Sequence, residues 1–473
     1  VFTWRSRAEI ANGDAQAGLK SIDRALEIAK DDETQGRLRS ARADVLTTLG
    51  RKDEALREYE RAGSDYALQA AAVAALQAGK PADARRAAEK LLEQFPKSSY
   101  RSDARTVVGE ALLAENQFDA ATKSFESALQ DEKDPKKRAR CQSRLAWCQY
   151  LGDDKKGAAT SFAKLAKETP DAPEAEEAQF MAGRALESAD DAKGALRAYG
   201  LCVSRFPRGP HAEEALFRAA KLDATADGTN RLEAFVREHA SGAFAAQARY
   251  DLAERLSAAG KYQEAGAKYV EVLENSKDSP LVPAARYGLA WCLDRSGDSA
   301  GAAELLRAWI EDKSGDPQLR ASALELLVWC EAKLSPPTGV AAAWRALLGA
   351  TDDEARLLRA ARAGIEPLRK THRSQEALAM LDAFQKRARD PKTLASLSVE
   401  RVYVELDQKH LDEAERELAR AAAARKDEAG VAEAAFFVGE ARFEHGDAQR
   451  ALELYDQALK SPENPARDRA LYK

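Results

Sequence analysis

The histidines are the first residues to consider for catalysis or metal binding, and the chain has five among its 473 residues: His211, His239, His372, His410 and His445. They are scattered singly, whereas metal sites and activated nucleophiles need such side chains at short, fixed spacings. The sequence contains no His-Glu-x-x-His segment and no Gly-x-x-x-x-Gly-Lys-Ser/Thr loop. We therefore predict no catalytic residue, no hydrolase-type nucleophile turn, no metal ligand and no cofactor, and a protein that is not an enzyme.

Charged residues are abundant, but their spacing is typical of solvated helix surfaces. Glu413, Glu417 and Arg420 show the pattern, in which acids and bases lie three or four positions apart. This spacing places opposite charges on one side of a helix and does not build an acid–base pair. The basic stretch 133–138 is flanked by acids, so a solvated loop is favoured there and a local anion contact is the alternative.

The five cysteines form no Cys-x-x-Cys pair and no Cys/His ligand spacing. Three of them, Cys148, Cys292 and Cys330, each directly follow a tryptophan. A small thiol repeated at one helix position is typical of packing rather than of redox chemistry. We predict no disulfide framework, which leaves the cellular compartment open.

Eight aromatic residues recur in two registers and are the candidates for binding. One register holds Trp147, Trp291, Trp329 and Tyr403, and the other, four residues earlier in its repeat, holds Phe180, Tyr250, Tyr287 and Phe436. Residues four apart lie on the same side of a helix. Rigid rings bury a large area at small entropic cost, so an exposed row of them suits a binding surface. The alternative is that neighbouring helices bury these rings.

These registers derive from a repeat of 37 residues along the whole chain. It is marked by a small residue in the pattern Gly-x-x-x-x-Ala-x-x-x-aromatic, which we call the anchor. The anchors are Gly18, Ala55, Ala84, Ala121, Ala158, Ala195, Ala265, Ala302, Ala377, Ala414 and Ala451. Two gaps are about twice the period, which predicts two degenerate repeats near Leu232 and Val340 and about thirteen repeats in all. One repeat, near residues 63–92, has only 29 residues and is a plausible kink.

The other repeated residues predict two helices per repeat. A small residue twelve positions before the anchor, such as Gly109, and a bulky one four after it, such as Phe125, allow the helices to approach closely. Five positions before the anchor, residues such as Gly50 and Gly446 suit the left-handed end of a first helix. Proline twelve positions after the anchor, as at Pro96, ends the second helix.

The repeated pattern consists of two small residues, an aromatic residue and a proline at fixed spacings. It resembles the tetratricopeptide repeat (TPR) over essentially the whole chain. The resemblance implies an all-α, right-handed superhelical solenoid whose first helices line a concave groove that binds peptide segments or helices. The eight aromatic residues would line that groove. The charged clamp with which some members bind C-terminal carboxylates is not supported, because Glu110, Arg184 and Glu254 occupy the corresponding places.

Three linkers between repeats resemble those of one subfamily of TPR proteins. Residues 95–104, 206–215 and 279–285 resemble the Pro-x-Ser-x-x-Ala linkers of bacterial cell-envelope members, such as the Tol–Pal coordinator and the lipoprotein of the barrel-assembly machine. The pattern departs around 209–241 and 316–350, where the turn glycine is missing and Ser335-Pro336-Pro337 replaces one turn. We therefore divide the array into an N-terminal part (1–208), a central part (209–350) and a C-terminal part (351–473).

Composition is consistent with a protein-binding array. The net charge is −5 with a pI near 5.9, so we expect no nucleic acid partner, and no apolar run reaches the roughly 18 residues of a membrane helix. We expect other proteins as partners and no small-molecule substrate. The chain begins at Val1 without Met and ends within a helix pattern, which we interpret as a piece of a longer protein.

The sequence thus predicts a non-catalytic protein-interaction scaffold. The linkers favour an assembly or coordination factor of a bacterial cell-envelope complex in the periplasm, with a cytoplasmic location as the alternative. The alternative function is a regulatory TPR arm of a larger enzyme or sensor, such as a kinase or peptidase, whose catalytic domain lies outside this sequence.

The degenerate repeats predict where the array opens first. Because stability in such arrays is roughly a sum over repeats and their junctions, we expect limited proteolysis to cut first near Gly228 or Pro336. Mass spectrometry of the earliest fragments checks this, and uniform resistance at both places would contradict it.

Overall fold

The computed structural model describes residues 2–311, 316–424 and 429–472, and within these ranges every regular element is an α-helix. The chain forms two compact units, Val1–Leu232 and Glu233–Lys473. The division into three parts at 208 and 350 stays a prediction. The terminal residues Val1 and Lys473 lie outside the described ranges.

The helices of the first unit run to the boundary, which lies inside the fourteenth helix. They are α1 (Phe2–Ala11), α2 (Ala15–Ile28), α3 (Asp32–Thr48), α4 (Lys52–Ala62), α5 (Asp65–Gln77), α6 (Pro81–Gln94), α7 (Arg101–Ala114), α8 (Phe118–Asp131), α9 (Pro135–Leu151), α10 (Lys155–Glu168), α11 (Ala175–Ser188), α12 (Ala192–Arg205), α13 (Ala212–Leu222) and α14 (Ala226–Glu238).

The helices of the second unit continue the same alternation. They are α15 (Ala245–Ala258), α16 (Tyr262–Asn275), α17 (Val282–Arg295), α18 (Ser299–Glu311), α19 (Pro317–Lys333), α20 (Val340–Ala350), α21 (Glu354–Lys370), α22 (Ser374–Gln385), α23 (Pro391–Asp407), α24 (Leu411–Ala424), α25 (Ala429–Glu444), α26 (Ala448–Leu459) and α27 (Arg467–Tyr472).

Every anchor lies in an even-numbered helix, the second helix of its repeat. From Ala55 to Ala451 the alanine anchors are completely buried, because two helices can approach closely only where one side chain is small. Leu232 in α14 and Val340 in α20 are also completely buried, at the places predicted for the two degenerate repeats. The described residues thus form thirteen helix pairs, which confirms the all-α repeat fold.

The first helix of a repeat has a small residue where the aromatic ring of the second helix packs against it. A Cβ atom on Gly183 in α11 would lie 2.5 Å from the Tyr199 ring of α12, and one on Gly109 would lie 2.7 Å from Phe125. Both rings are fully buried. The ring of the second helix therefore fills the space that the missing side chain leaves, as the spacing predicted.

We expect Gly183→Ala to destabilise the first unit by about 1–3 kcal/mol, because the added methyl group overpacks a core position against Tyr199. Gly200→Ala is the matched control, since it lies in α12 with no atom within 4 Å of the added carbon. The control should stabilise by up to about 1 kcal/mol through helix propensity. Urea denaturation followed by circular dichroism measures both, and equal effects would contradict the packing argument.

The turn between the helices of a repeat is left-handed five residues before the anchor. Glycine takes this conformation at positions such as Gly50 (φ 75°) and Gly446 (φ 91°). Where glycine is absent another residue adopts it: Asn116, Asp153, Asp190, His372 and Lys409. The backbone of every such turn therefore needs a left-handed residue at this position. Glycine adopts that conformation freely, whereas other residues adopt it with some backbone strain.

The two degenerate repeats replace this turn with side-chain contacts. Before α14, the Asp223 carboxylate accepts hydrogen bonds from the Thr225 amide (3.1 Å) and hydroxyl (2.6 Å). Before α20, the buried Glu331 carboxylate lies beneath Gly339 and accepts a bond from Arg307 Nε (2.7 Å). In the first of these repeats a buried acid thus binds the chain before the second helix, and in the other a buried carboxylate occupies the space beside Gly339 that a side chain would need.

Candidate partner-binding surface

The eight predicted aromatic residues fall into two groups by exposure. Phe180 and Phe436 are buried, at 3% and 0% exposure. The other six are partly exposed: Trp147, Tyr250, Tyr287, Trp291, Trp329 and Tyr403. Register alone therefore does not determine whether a ring reaches solvent.

Neighbouring residues cover the two buried rings. The His211 imidazole stacks on Phe180 with 4.6 Å between ring centroids, and Glu176 holds that imidazole through a 2.7 Å contact to Nδ1. The Arg469 guanidinium lies 5.1 Å from the centroid of Phe436. Both covering groups come from outside the repeat of the ring, so the spacing within one repeat carries no sign of them.

Four of the partly exposed rings lie on consecutive first helices of the second unit, and we call them the aromatic stripe: Tyr250 on α15, Tyr287 and Trp291 on α17, and Trp329 on α19. The rings of Tyr287, Trp291 and Trp329 pack against the buried core of this unit on one side. All four residues of the stripe are partly exposed. The stripe is thus a row of supported but accessible rings.

Further contacts hold individual rings of the stripe. Tyr250 packs edge-on against Tyr269 of the same repeat, with 5.8 Å between centroids. Burial, together with the Glu254 carboxylate, raises the pKa of Tyr250 to about 12, so its hydroxyl stays protonated. The Arg295 guanidinium lies 4.5 Å from the centroid of the Trp291 ring. Rings held in this way lose little entropy when a partner covers them.

Trp147 and Tyr403 lie apart from the stripe. Trp147 contacts Phe162 and Tyr150 edge-on at 5.7 and 5.9 Å in the first unit. Tyr403 contacts Phe437 at 5.9 Å, and Arg369 lies 5.2 Å from its ring centroid. The structure therefore places four of the eight predicted rings on three consecutive first helices, α15, α17 and α19.

Comparison with known proteins gives the family. The sequence profile of the tetratricopeptide repeat matches residues 70–137, 106–173, 250–317 and 399–466. Together these segments cover just over half of the chain. The chain belongs to the tetratricopeptide repeat family. TPR arrays bind other proteins, so this chain is a protein-interaction scaffold, and the TPR fold is generally non-catalytic.

Solved structures with similar chains include TPR proteins from two bacteria. The C-terminal part of a TPR repeat-containing protein from Cytophaga hutchinsonii is 15% identical, with a TM-score of 0.42, and the match covers 52% of this chain and 98% of that one. A TPR protein from Parabacteroides merdae is 14% identical, with a TM-score of 0.34, and the match covers 56% of this chain and 98% of that one. Yeast Tom70 is 13% identical, with a TM-score of 0.29, and the match covers 100% of this chain and 93% of that one. No curated protein sequence matches the chain.

His372, His410 and His445 lie at the turns between the two helices of their TPR repeats and are exposed. His410 contacts the Glu405 carboxylate at 2.9 Å. Across the described ranges, no three potential ligands come together in a geometry that could hold a metal ion. In the same ranges, no helix combines the length and the apolar character needed to cross a membrane.

One pentapeptide does match the Gly-x-Ser-x-Gly spacing of hydrolases, contrary to the prediction that no such turn is present. It is residues 297–301, which join α17 to α18. The Ser299 hydroxyl is buried and donates to the Asp294 carboxylate (2.7 Å). A nucleophile turn needs a strand before it and an exposed serine, so this segment is an inter-helix turn of a TPR repeat.

All five cysteines are buried and free. Burial raises the pKa of the Cys141 and Cys148 thiols to about 11, and that of Cys330 to about 12. A buried, protonated thiol is a poor nucleophile. These cysteines therefore pack the TPR helices, in agreement with the prediction from their register.

We expect a thiol reagent such as Ellman's reagent to modify almost none of the cysteines in the native protein at pH 8, because each is buried and protonated. In guanidinium chloride all five should react. Absorbance at 412 nm measures the released thiolate. A fast phase in the native protein would contradict the burial of at least one cysteine.

Proposed function

We propose that this TPR chain binds a segment of a partner protein along the aromatic stripe. The observation that supports this is the row of four partly exposed rings on three consecutive first helices. Surface rings scattered singly need no explanation, but a contiguous row backed by a core resembles the centre of a binding surface.

The mechanism of such a scaffold is presentation of a preformed surface. Trp291 and Trp329 would act as the main anchors, because large rings contribute most of the affinity in protein interfaces. Tyr250 and Tyr287 would extend the contact along the row. Trp147 and Tyr403 are candidates for separate contacts, whereas the buried rings of Phe180 and Phe436 support the array from within.

We further propose that the scaffold assembles or coordinates a bacterial cell-envelope complex. The support is the resemblance of the linkers. In the first, the Ser98 hydroxyl donates to Asp65 (2.7 Å) and accepts from the Tyr100 amide (3.1 Å). In the third, Ser279 accepts from the Leu281 amide (3.2 Å). Fractionation of the source cells tests this, and recovery from the cytoplasm alone would contradict it.

The experiment for partner binding compares three forms of the chain as bait in cells of its source. These are the wild type, the double variant Trp291→Ala/Trp329→Ala, and a control, Trp4→Ala/Leu452→Ala. The control removes apolar side chains that are 73% and 56% exposed and lie outside the stripe. Captured proteins are quantified by mass spectrometry, and circular dichroism checks that each form is folded.

We expect partners to be lost from the stripe variant and retained by the control, because removal of two anchors typically costs at least about 2 kcal/mol of binding free energy each. Retention of every partner by a folded stripe variant would contradict the proposal. The rings would then serve only to pack the array.

A further inference from the structure

The surface beside the aromatic stripe is formed by the first helices α17, α19 and α21, which ion pairs join in succession. Lys333 Nζ on α19 lies 2.6 Å from Asp294 on α17. Arg359 on α21 lies 3.1 Å from Glu325 on α19, one turn from Trp329. The charges of these helices and the rings of the stripe therefore share one continuous surface.

In these pairs, and in the pair of Arg362 on α21 with Glu400 on α23, the acid is much less exposed than the base. The side chains of Asp294, Glu325 and Glu400 are 5%, 9% and 18% exposed. Their partners Lys333, Arg359 and Arg362 are 53%, 58% and 50% exposed. A partner molecule would meet the cations and not the carboxylates beneath them.

The positive charge that this surface presents depends on which of its cations have an acid partner. Arg295 is exposed beside Trp291 and makes no ion pair within residues 2–311, 316–424 and 429–472. Glu325 is shared between Arg359 and Arg356, and Asp353 lies 3.8 Å from Arg356, so within the described residues Arg295 is the cation of this surface that no acid neutralises. An arginine with one bond to an acid keeps further N–H donors for a ligand.

We call Arg295, Lys333, Arg359 and Arg362 the basic patch. Its limits are visible on the neighbouring helices. On α15, Glu254 occupies the position equivalent to Trp291 and is exposed. On α21, Glu366 and Lys370 are both exposed, at 65% and 72%, and pair with each other. The patch therefore lies on the same helices as Trp291 and Trp329, and on α21 beside them, and does not extend along the whole unit.

We infer that the partner segment bound at the stripe is acidic, with carboxylates that meet the basic patch and with aromatic or large aliphatic side chains that cover Trp291 and Trp329. This rests on the proposed function. The chain as a whole carries a net charge of −5, so an acidic segment is repelled elsewhere and attracted here. Arginine suits such a site because its planar fork matches a carboxylate.

The experiment selects ligands from a phage-displayed library of random dodecapeptides on the immobilised full chain. Enriched peptides are then synthesised and their affinities measured by fluorescence anisotropy. The test variant is Arg295→Gln/Arg359→Gln, which leaves Arg356 to pair with Glu325. The matched control is Arg345→Gln/Lys392→Gln, which changes the net charge equally at exposed positions outside the patch.

We expect enriched peptides to carry net negative charge and at least one aromatic or large aliphatic residue. Their affinity should fall about tenfold or more in the test variant and stay within about twofold in the control. Added NaCl should also weaken binding, because exposed charges are screened. Circular dichroism establishes that both variants are folded.

The outcomes separate this inference from the proposed function. The enriched peptides could be neutral or basic, with binding that Trp291→Ala/Trp329→Ala abolishes and Arg295→Gln/Arg359→Gln leaves intact. That result would overturn the acidic assignment and keep the stripe as a binding site. Peptides insensitive to both variants, or no enrichment at all, would contradict both. Single-stranded DNA or RNA oligonucleotides that bind the wild type and not the test variant would reassign the patch to nucleic acid.

Discussion

Replacing Trp344 with alanine is expected to cost about 3–5 kcal/mol of unfolding free energy, the range for removal of a large ring from a core. Trp344 lies on α20, four residues after Val340, and is completely buried. Its ring packs against Phe384 with 5.9 Å between centroids.

Hydrogen exchange followed by mass spectrometry measures this effect locally, because stability in a repeat array is distributed over its junctions and one global value describes it poorly. Amides of α19 to α21 should exchange faster in Trp344→Ala. Trp4→Ala, a change at a 73% exposed ring, is the control and should alter exchange only around α1. Unchanged exchange in α19 to α21 would contradict the packing of Trp344.

Trp344→Phe refines the same test. The indole Nε1 is buried and has no hydrogen-bond partner among the residues that the structure describes. Phenylalanine keeps most of the ring volume and removes this unpaired donor, whose burial costs free energy. We therefore expect Trp344→Phe to be much milder than Trp344→Ala, and equal losses would show that the indole itself is required.

The Val340 repeat also shows how far the sequence determines the fold. The period alone predicts where the anchor lies, because helix pairing imposes the same steric requirement on every repeat. The period does not predict that the buried Glu331 carboxylate lies beside Gly339 where the left-handed turn is missing, since the two residues have no regular spacing. Position within a repeat is therefore predictable, whereas local replacements for a missing turn are not.

The candidate site was predicted less completely than the fold. The register correctly places Tyr287, Trp291 and Trp329 on first helices, yet it assigns Phe180 and Phe436 to the same surface, where the structure buries them. It also does not predict the basic patch, because burial of the acids beneath the cations depends on contacts between successive repeats. Comparison of equivalent positions in adjacent repeats, such as Arg295 and Lys333, which each follow a tryptophan by four residues, is a signal that could have found it.

Replacing Glu325 with alanine is expected to cost about 3 kcal/mol, the lower end of the range for breaking a buried ion pair. The Arg356 side chain is only 12% exposed and pairs with Glu325 at 3.3 Å. Without that carboxylate, a guanidinium would remain buried with Asp353 at 3.8 Å as its nearest acid. Arg359 is 58% exposed and can turn to solvent, so Arg356 accounts for most of the loss.

Denaturant unfolding followed by circular dichroism measures this change, with Glu366→Ala as the control. Glu366 pairs with Lys370 on the surface of α21, and exposed pairs contribute about 0–1 kcal/mol. The double variant Glu325→Leu/Arg356→Met should recover most of the loss, since apolar residues of similar size can replace a buried pair. Failure to recover would show that Glu325 stabilises the array through something other than Arg356.

The left-handed position before each second helix has a consequence for how such a chain evolves. Asparagine, aspartate, histidine and lysine all occupy it here, as Asn116, Asp153, Asp190, His372 and Lys409 show. A change away from glycine therefore lowers stability without destroying the repeat, so the glycines of such an array can be replaced one at a time. The repeats of a long array can therefore diverge until they share few identical residues, while all of them keep the same backbone conformation.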